Sequence, residues 1–286
     1  MRDKVNAQYR FLGITVHALT KRDILEVIGS AVNSQANNLI LGNHNLHSLY
    51  LSKRNESMRR FYALNRFTHI DGMSLVMLGR LLGHPLKRMH RAAYLDWFED
   101  FLRIAQEQSW RVYFLGGTAA VAEGVREQIR RQYPGLEFNS HHGYDAFAPD
   151  TRVYEDIKQF APHVLLVGMG MPLQESWILQ AVEKLNVNVL LPCGGIMDFR
   201  MGVQKAAPRW IGQIGMEWLF RLVHSPRKLF RRYILEPIAI FPFVLEELMK
   251  TKDNATKVRE IWLSGERKIP GSQPVRAVVE SSAECS

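Results

Sequence analysis

Short apolar runs alternate with amphipathic segments along the first 200 residues. Each run ends abruptly in polar or glycine residues, and a stretch with helical periodicity follows. Because parallel strands joined by helices give this order, the pattern predicts an α/β fold, a mostly parallel sheet flanked by helices. The predicted strands are Arg10–Val16, Asn38–Leu41, Phe67–Ile70, Arg111–Leu115, Leu136–Asn139, His163–Val167 and Val187–Leu191.

Local signals place several helix starts. Thr20 has the character of an N-cap, with Asp23 three residues later where a capping box has its acid. Pro172 is suited to the first turn of a helix that begins near Gln174, where Glu175 interacts favourably with the helix dipole.

The pattern changes after residue 200. Eight Lys and Arg residues but only one acid, Glu217, lie between Arg200 and Arg232, and aromatic residues are interleaved with them. This composition predicts a C-terminal basic helical appendage. We therefore divide the chain into a catalytic domain (1–205), the appendage (206–250) and a polar tail (251–286) whose composition is typical of disorder.

The composition and net charge indicate which classes of partner the chain could bind. The chain has 286 residues, is 47% hydrophobic and carries a formal net charge of +9, which favours anionic partners such as nucleic acid, phosphorylated small molecules or acidic lipids. The two cysteines, Cys193 and Cys285, imply no disulfide framework. The N-terminus lacks a signal-peptide pattern, and no apolar run is long enough to span a membrane.

Candidate chemistry lies where the predicted strands end, because ligands bind beyond the carboxyl ends of parallel strands. Glycines there let backbone N–H groups approach a phosphate, although a single glycine equally serves a tight turn. The glycines lack the third glycine and the ribose-binding acid of a dinucleotide fingerprint, which counts against a nicotinamide-dependent oxidoreductase and a bound cofactor. The candidates are Gly116, Gly117, Gly168, Gly170, Gly194 and Gly195.

Three polar residues at the predicted strand ends have side chains suited to catalysis or substrate binding. Asp71, between a strand and Gly72, could act as a general base or could cap the following helix. Gln174 could bind sugar hydroxyls or a uracil edge, whereas Asp198 is more typical of a turn or cap. Metal ligation is not predicted: His44-x-x-His47 and His141-His142 each fall short of the three or four convergent ligands that zinc needs.

Several long motifs in order resemble the WecG/TagA/CpsF family of bacterial glycosyltransferases, over Phe11 to Tyr233. The resemblance implies a Rossmann-like domain and inverting, metal-independent transfer from a UDP-sugar to a polyprenyl-diphosphate-linked sugar. The motifs are Asp71-Gly72, Phe114-Leu-Gly-Gly117, Gly168-Met-Gly-Met-Pro-Leu-Gln-Glu175, Gly194-Gly-Ile-Met-Asp-Phe199, Ala207-Pro-Arg-Trp, Gly215-Met-Glu-Trp-Leu-Phe-Arg221 and Ser225-Pro-Arg-Lys-Leu-Phe-Arg231.

The resemblance also implies residue roles. Asp71 falls on the general base, and Asn43 stands in the catalytic T-x-N motif where many members have threonine, with Asn45 as its asparagine. Arg88 matches an arginine that usually precedes a glycine-containing turn. The appendage residues Arg221, Lys228 and Arg231 fall on diphosphate-binding positions, Lys228 replacing an arginine. The remaining strand-end residues, including Glu175 and Asp198, are expected to contact substrate.

The donor remains open between two classes. The Asn43–His47 segment favours UDP-glucose and exopolysaccharide assembly, and the alternative is a UDP-N-acetylmannosamine or uronic acid transferase for teichoic acid or common-antigen intermediates. The expected location is peripheral, on an anionic surface at the cytoplasmic face of the inner membrane, and contacts in a homo-oligomer could complete the site. A basic nucleic-acid-binding protein or a noncatalytic membrane scaffold would explain the charge but not the strand-end residues.

Overall fold

The computed structural model describes residues 7–148, 151–208, 211–212 and 215–264; the side chains of residues 11, 228 and 251–264 are not described. Within these ranges the chain forms a two-stranded antiparallel sheet and a six-stranded parallel sheet. The strands are β1 Gln8–Phe11, β2 Ile14–His17, β3 Leu39–His44, β4 Phe67–Ile70, β5 Arg111–Gly116, β6 Glu137–His141, β7 Val164–Gly168 and β8 Val189–Pro192.

Helices connect these strands and extend beyond them. A short 3₁₀ helix covers Arg88–His90, and a π-helical turn covers Arg231–Leu235. The α-helices are α1 Lys21–Asn33, α2 Leu46–Ser52, α3 Glu56–Leu64, α4 Met73–Leu81, α5 Tyr94–Glu107, α6 Ala119–Gln132, α7 Val153–Phe160, α8 Leu173–Ala181, α9 Ile196–Arg200, α10 Glu217–His224, α11 Pro226–Phe230 and α12 Glu236–Ser264. The predicted α/β class is confirmed.

Alternating side chains of the parallel sheet build two cores. Along β5, Val112 and Phe114 face one cluster while Tyr113 and Leu115 face the other. Helices α1, α5 and α6 cover the first face, and α3, α7 and α8 cover the second. A third cluster joins β1, β2 and α4 to α12 through the buried Ile240. The appendage helix α12 therefore packs on the same body as the strands.

The strand order is β4-β3-β8-β7-β5-β6. From β5 the chain moves outward to β6, whereas from β7 it moves the other way to β8. The crevice between β5 and β7 is thus a topological switch point, where open α/β sheets bind ligands. Gly116, Gly117 and Gly168 lie at this point, which supports the sequence-based choice of these strand ends.

Two predicted boundaries differ from the structure. The predicted strand Arg10–Val16 is a hairpin, because Leu12 (φ 52°) and Gly13 (φ 88°) both adopt the left-handed conformation that a tight two-residue turn requires. Helix α12 runs past residue 250 to Ser264, so the predicted polar tail is helical over 251–264. The rest of that tail, 265–286, lies outside the described residues. No helix in the described part of the chain is long and apolar enough to cross a membrane.

Candidate active site

A cleft of about 1330 Å³ opens along the carboxyl ends of the parallel strands. Its walls come from the ends of β3, β4, β7 and β8, from the loops after β5 and β6, and from the appendage. Eleven predicted site residues line it: Asn43, Asn45, Asp71, Gly117, Gly168, Gly170, Gln174, Gly194, Gly195, Asp198 and Arg221.

Asp71 lies immediately after β4, where its backbone N–H donates to His44 O at 2.9 Å. Gly72, not Asp71, is the N-cap of α4, so the structure does not support the capping alternative. The Asn45 side chain donates to Asp71 Oδ2 at 3.4 Å. Burial raises the pKa of Asp71 and Glu217 raises it further, while Arg91, the Asn45 hydrogen bond and Arg221 oppose the shift. A carboxylate with a raised pKa is a stronger base, as proton abstraction requires.

The two asparagines differ in how they are held. Asn45 is the N-cap of α2: its side chain accepts from Ser48 N at 3.1 Å, and this fixes the amide that reaches Asp71. Asn43 is buried at the end of β3, and Tyr62 donates to its backbone carbonyl at 2.8 Å. Its side-chain oxygen has no hydrogen-bond partner among the described residues, so it can accept a bond from a bound substrate.

The glycines divide into two roles. Gly117 donates to Gly168 O at 3.2 Å and lines the cleft. Gly116 does not line it: a Cβ there would lie 2.3 Å from Gly168 O, so Gly116 permits the close approach of β5 and β7. Gly170 and Gly194 have positive φ and no neighbour within 4 Å of an added Cβ, which leaves their backbone open to the cleft.

Gln174 and Glu175 form a buried pair at the start of α8. Gln174 accepts from Gly194 N at 3.0 Å and donates to Glu175 Oε1 at 2.8 Å. Gln174 lines the cleft, whereas Glu175 lies behind it, fully buried. Burial raises the pKa of Glu175 to about 7. Glu175 is therefore placed to orient Gln174 rather than to touch substrate, contrary to the predicted contact.

The family model described as Glycosyl transferase WecG/TagA/CpsF family matches residues 9–254. This chain belongs to that family. A relative from Staphylococcus aureus strain MW2, named N-acetylglucosaminyldiphosphoundecaprenol N-acetyl-beta-D-mannosaminyltransferase, is 27% identical over 254 residues, 88% of this chain and 96% of the relative. The protein of the same name from strain MRSA252 is 26% identical over the same shares of both chains.

The basic residues carried over from the WecG/TagA/CpsF resemblance are not all at the cleft. Arg221 lines it and lies over the Phe199 ring, with 5.2 Å from Cζ to the ring centroid. Arg231 is exposed, does not line the cleft and is hydrogen bonded to Tyr50. Arg88 is also exposed and away from the cleft wall. The Lys228 side chain lies outside the described residues.

Arg91 does not line the cleft, but it contacts the cleft residue Glu217, and the sequence prediction missed it in favour of Arg88. Its side chain, only 12% exposed, pairs with Asp96 Oδ2 at 2.8 Å and with Glu217 Oε2 at 3.0 Å. A bridge between Ile70 and Arg91 places its backbone beside the end of β4. A buried arginine needs a carboxylate partner, and the sequence offers one nearby in Asp96 at the start of α5. This acid is the sequence feature that could have indicated a buried Arg91.

Arg232 is the second residue missed. It lines the cleft from the π-helical turn, a feature frequent at functional sites, and burial lowers its pKa. Arg231 and Arg232 are adjacent in the sequence, and no local pattern indicates which of the two side chains faces the cleft. The structure turns Arg232 to the cleft and Arg231 to solvent.

Asp198 and His47 complete the polar wall. Asp198, in the first turn of α9, accepts from Gln204 Nε2 at 3.0 Å while lining the cleft. His47 Nδ1 lies 2.6 Å from Glu236 Oε2, which joins α2 to the first residue of α12. His44 is buried, with Nδ1 2.7 Å from Ser48 Oγ. The two histidines of the His44-x-x-His47 motif thus have separate partners.

Proposed function

We propose that this chain transfers N-acetylmannosamine from a UDP-sugar to an N-acetylglucosamine linked to a polyprenyl diphosphate. The names of the relatives favour this donor over UDP-glucose, which the Asn43–His47 segment alone suggests. The family membership supports the reaction class. The observation that carries the mechanism is Asp71, a carboxylate of raised pKa in the same cleft as the glycine ends of β7 and β8.

In the proposed reaction, Asp71 takes the proton of the acceptor hydroxyl as its oxygen attacks the anomeric carbon. The new C–O bond forms opposite the bond to the diphosphate, which breaks with its electron pair to release UDP and invert the anomeric configuration. Asn45 orients the Asp71 carboxylate through its side-chain hydrogen bond. Gly194 and Gln174, already joined by a hydrogen bond, are assigned to the nucleotide-sugar.

Negative charge that develops on the departing diphosphate requires cationic groups. Arg221, Arg232 and Lys205 line the cleft, so we assign this role to them. Arg231, assigned to diphosphate by the resemblance, is bonded to Tyr50 instead. Arg91 is ion-paired with Glu217, a cleft residue, and we assign it the positioning of that carboxylate near Asp71.

The test is UDP release from UDP-N-acetylmannosamine, UDP-glucose and UDP-N-acetylglucosamine, with a short-chain polyprenyl-diphosphate N-acetylglucosamine as acceptor and EDTA present. We expect acceptor-dependent release with UDP-N-acetylmannosamine. Asp71→Asn should lower kcat by about 100-fold or more, the usual contribution of a general base. Asp100→Asn, which changes an exposed carboxylate on α5, is the control and should keep turnover.

Each possible result contradicts a different part of the proposal. Turnover with UDP-glucose alone would overturn the donor and keep the reaction class. Normal turnover by the Asp71→Asn variant would remove Asp71 from the mechanism. Folded protein that releases no UDP with any donor would contradict the proposed transfer.

A further inference from the structure

The loop that follows β6 brings together two imidazoles and a carboxylate that the proposed transfer reaction does not use. One ring nitrogen of His141, one of His142 and a carboxylate oxygen of Asp145 lie within 4.8 Å of one another. All three side chains are half-buried, with exposed fractions of 31%, 32% and 46%. The residues come from a single turn of five residues at the edge of the sheet.

The polar atoms of this cluster are incompletely satisfied. His142 Nδ1 and Asp145 Oδ1 are shielded from solvent and have no hydrogen-bond partner among the described residues, although they lie 3.5 Å apart. Two ligands about 2.1 Å from one tetrahedral ion are separated by roughly 3.4 Å, which matches this distance. His141 Nδ1 lies 3.7 Å from Asp145 Oδ1 and donates to the His142 carbonyl at 2.8 Å, so the backbone orients this imidazole beside the carboxylate.

The loop is already held in place by its backbone. Gly143 N donates to Gly117 O at 3.2 Å, and a Cβ on Gly143 would lie 2.6 Å from Met169. The two histidine rings stack, with 4.5 Å between centroids. A preformed arrangement lowers the ordering cost of binding an ion.

We propose that His141, His142 and Asp145 form a Zn²⁺ site. Two imidazoles and one carboxylate are zinc ligands, and three protein ligands leave the fourth coordination position for water. Gly143 and Tyr144, which lie between the ligands in sequence, line the cleft, so a bound ion stiffens this part of the rim. The His141-His142 motif alone falls short of a zinc site in sequence, because the third ligand, Asp145, lies three residues after it.

The site is separate from the proposed chemistry at Asp71. Asp71 follows β4 and His141 ends β6, which are the opposite edges of the sheet. Five strand spacings separate them, roughly 24 Å. An ion on the histidines therefore does not touch the acceptor oxygen, and its binding can be tested whether or not the transfer reaction is as proposed.

The experiment uses the full chain, stripped with EDTA, exchanged into buffer and titrated with Zn²⁺. Bound metal is measured by mass spectrometry after gel filtration, affinity by competition with a chromophoric chelator, and loop protection by hydrogen exchange over 142–148. We expect one Zn²⁺ per chain and slower exchange in the loop. His142→Ala and Asp145→Asn should each weaken binding at least about tenfold, because loss of an outer-shell partner alone costs that much.

His84→Ala, which changes a histidine outside the cluster, should leave the affinity unchanged. Circular dichroism of each variant in EDTA verifies the fold before metal is added. No bound Zn²⁺ in the wild-type chain would overturn the proposal. Equal loss of binding in His84→Ala, or unchanged binding in both cluster variants, would overturn it as well.

Discussion

Burial raises the pKa of Asp71 in the folded chain, and the nearby Glu217 carboxylate raises it further. The native state therefore holds a proton at pH values where the unfolded chain has lost it, so this residue lowers stability as pH rises through that window. We expect Asp71→Asn to gain thermal stability relative to wild type as pH is raised from 4 to 8. Thermal unfolding across this range measures the effect, and a constant difference between the two proteins would contradict it.

The same raised pKa predicts the pH dependence of the proposed reaction. Proton transfer to Asp71 requires the carboxylate, so kcat/KM should fall as pH drops through the raised pKa of this residue, above the ordinary range for aspartate. A rate profile from pH 4 to 8 measures the midpoint. A midpoint at or below the value of a free aspartate would show that the observed limb belongs to another group.

Glu175 offers a sharper stability test, since burial raises its pKa to about 7. The free energy of unfolding should fall as pH rises from the pKa of glutamate in the unfolded chain to about 7. The total loss should be roughly 3 kcal/mol at most. Glu175→Gln keeps an acceptor for Gln174 and removes the charge, so it should abolish this part of the pH dependence. Urea unfolding at pH 5 and pH 8 provides the comparison. Equal pH dependence in variant and wild type would show that Glu175 is ionised at both pH values.

At the scale of elements, one ion pair and one histidine–carboxylate hydrogen bond join the appendage to the domain. Arg91 binds Glu217 of α10, and His47 binds the buried Glu236 at the start of α12. Glu236→Ala removes a buried partner and should cost about 1–3 kcal/mol. We expect faster hydrogen exchange in the first turns of α12 and faster proteolysis nearby. Glu246→Gln, which breaks an exposed pair with Lys250 on the same helix, is the control and should change neither rate.

The elements also show what sequence can predict. The capping box of Thr20 and Asp23 is confirmed, with Thr20 N donating to Asp23 at 2.8 Å, because capping depends on residues close in sequence. The strand Phe67–Ile70 is confirmed at both ends. The choice between Arg88 and Arg91 depends instead on Glu217, 126 residues from Arg91, and no local pattern encodes that contact. The inward turn of Arg232 likewise depends on how α10–α12 pack.

At the scale of the whole molecule, α12 presents apolar side chains on two faces. Ile240 is buried in the third core cluster, so deleting the segment would damage the fold. The other face exposes Ile238, Phe241 and Leu245 by 65%, 62% and 47%. With the net charge of +9, this face suits an anionic bilayer, in agreement with the peripheral location expected from the sequence.

We expect the chain to bind phosphatidylglycerol vesicles more tightly than phosphatidylcholine vesicles, with affinity falling as salt rises. Replacing Ile238, Phe241 and Leu245 together by serine should weaken binding at least about tenfold, since each inserted side chain contributes more than 1 kcal/mol. The control replaces Met77 and Leu81 of α4, which are exposed by 64% and 62%, by serine. Vesicle flotation measures both, and equal losses would show that apolar exposure in general, not α12, drives binding.

The position of β8 has a consequence for how the chain is made. β8 lies between β3 and β7, and among the described strands it alone joins the β3–β4 pair to the β7-β5-β6 group. It is also the last of the described strands in sequence, so the two groups remain separate, with open edges, until residue 192 has left the ribosome. Asn43 and Asp71 belong to one group, and Gly117 and Gly168 to the other. The cleft therefore comes into existence late in synthesis, when a single four-residue strand closes the sheet.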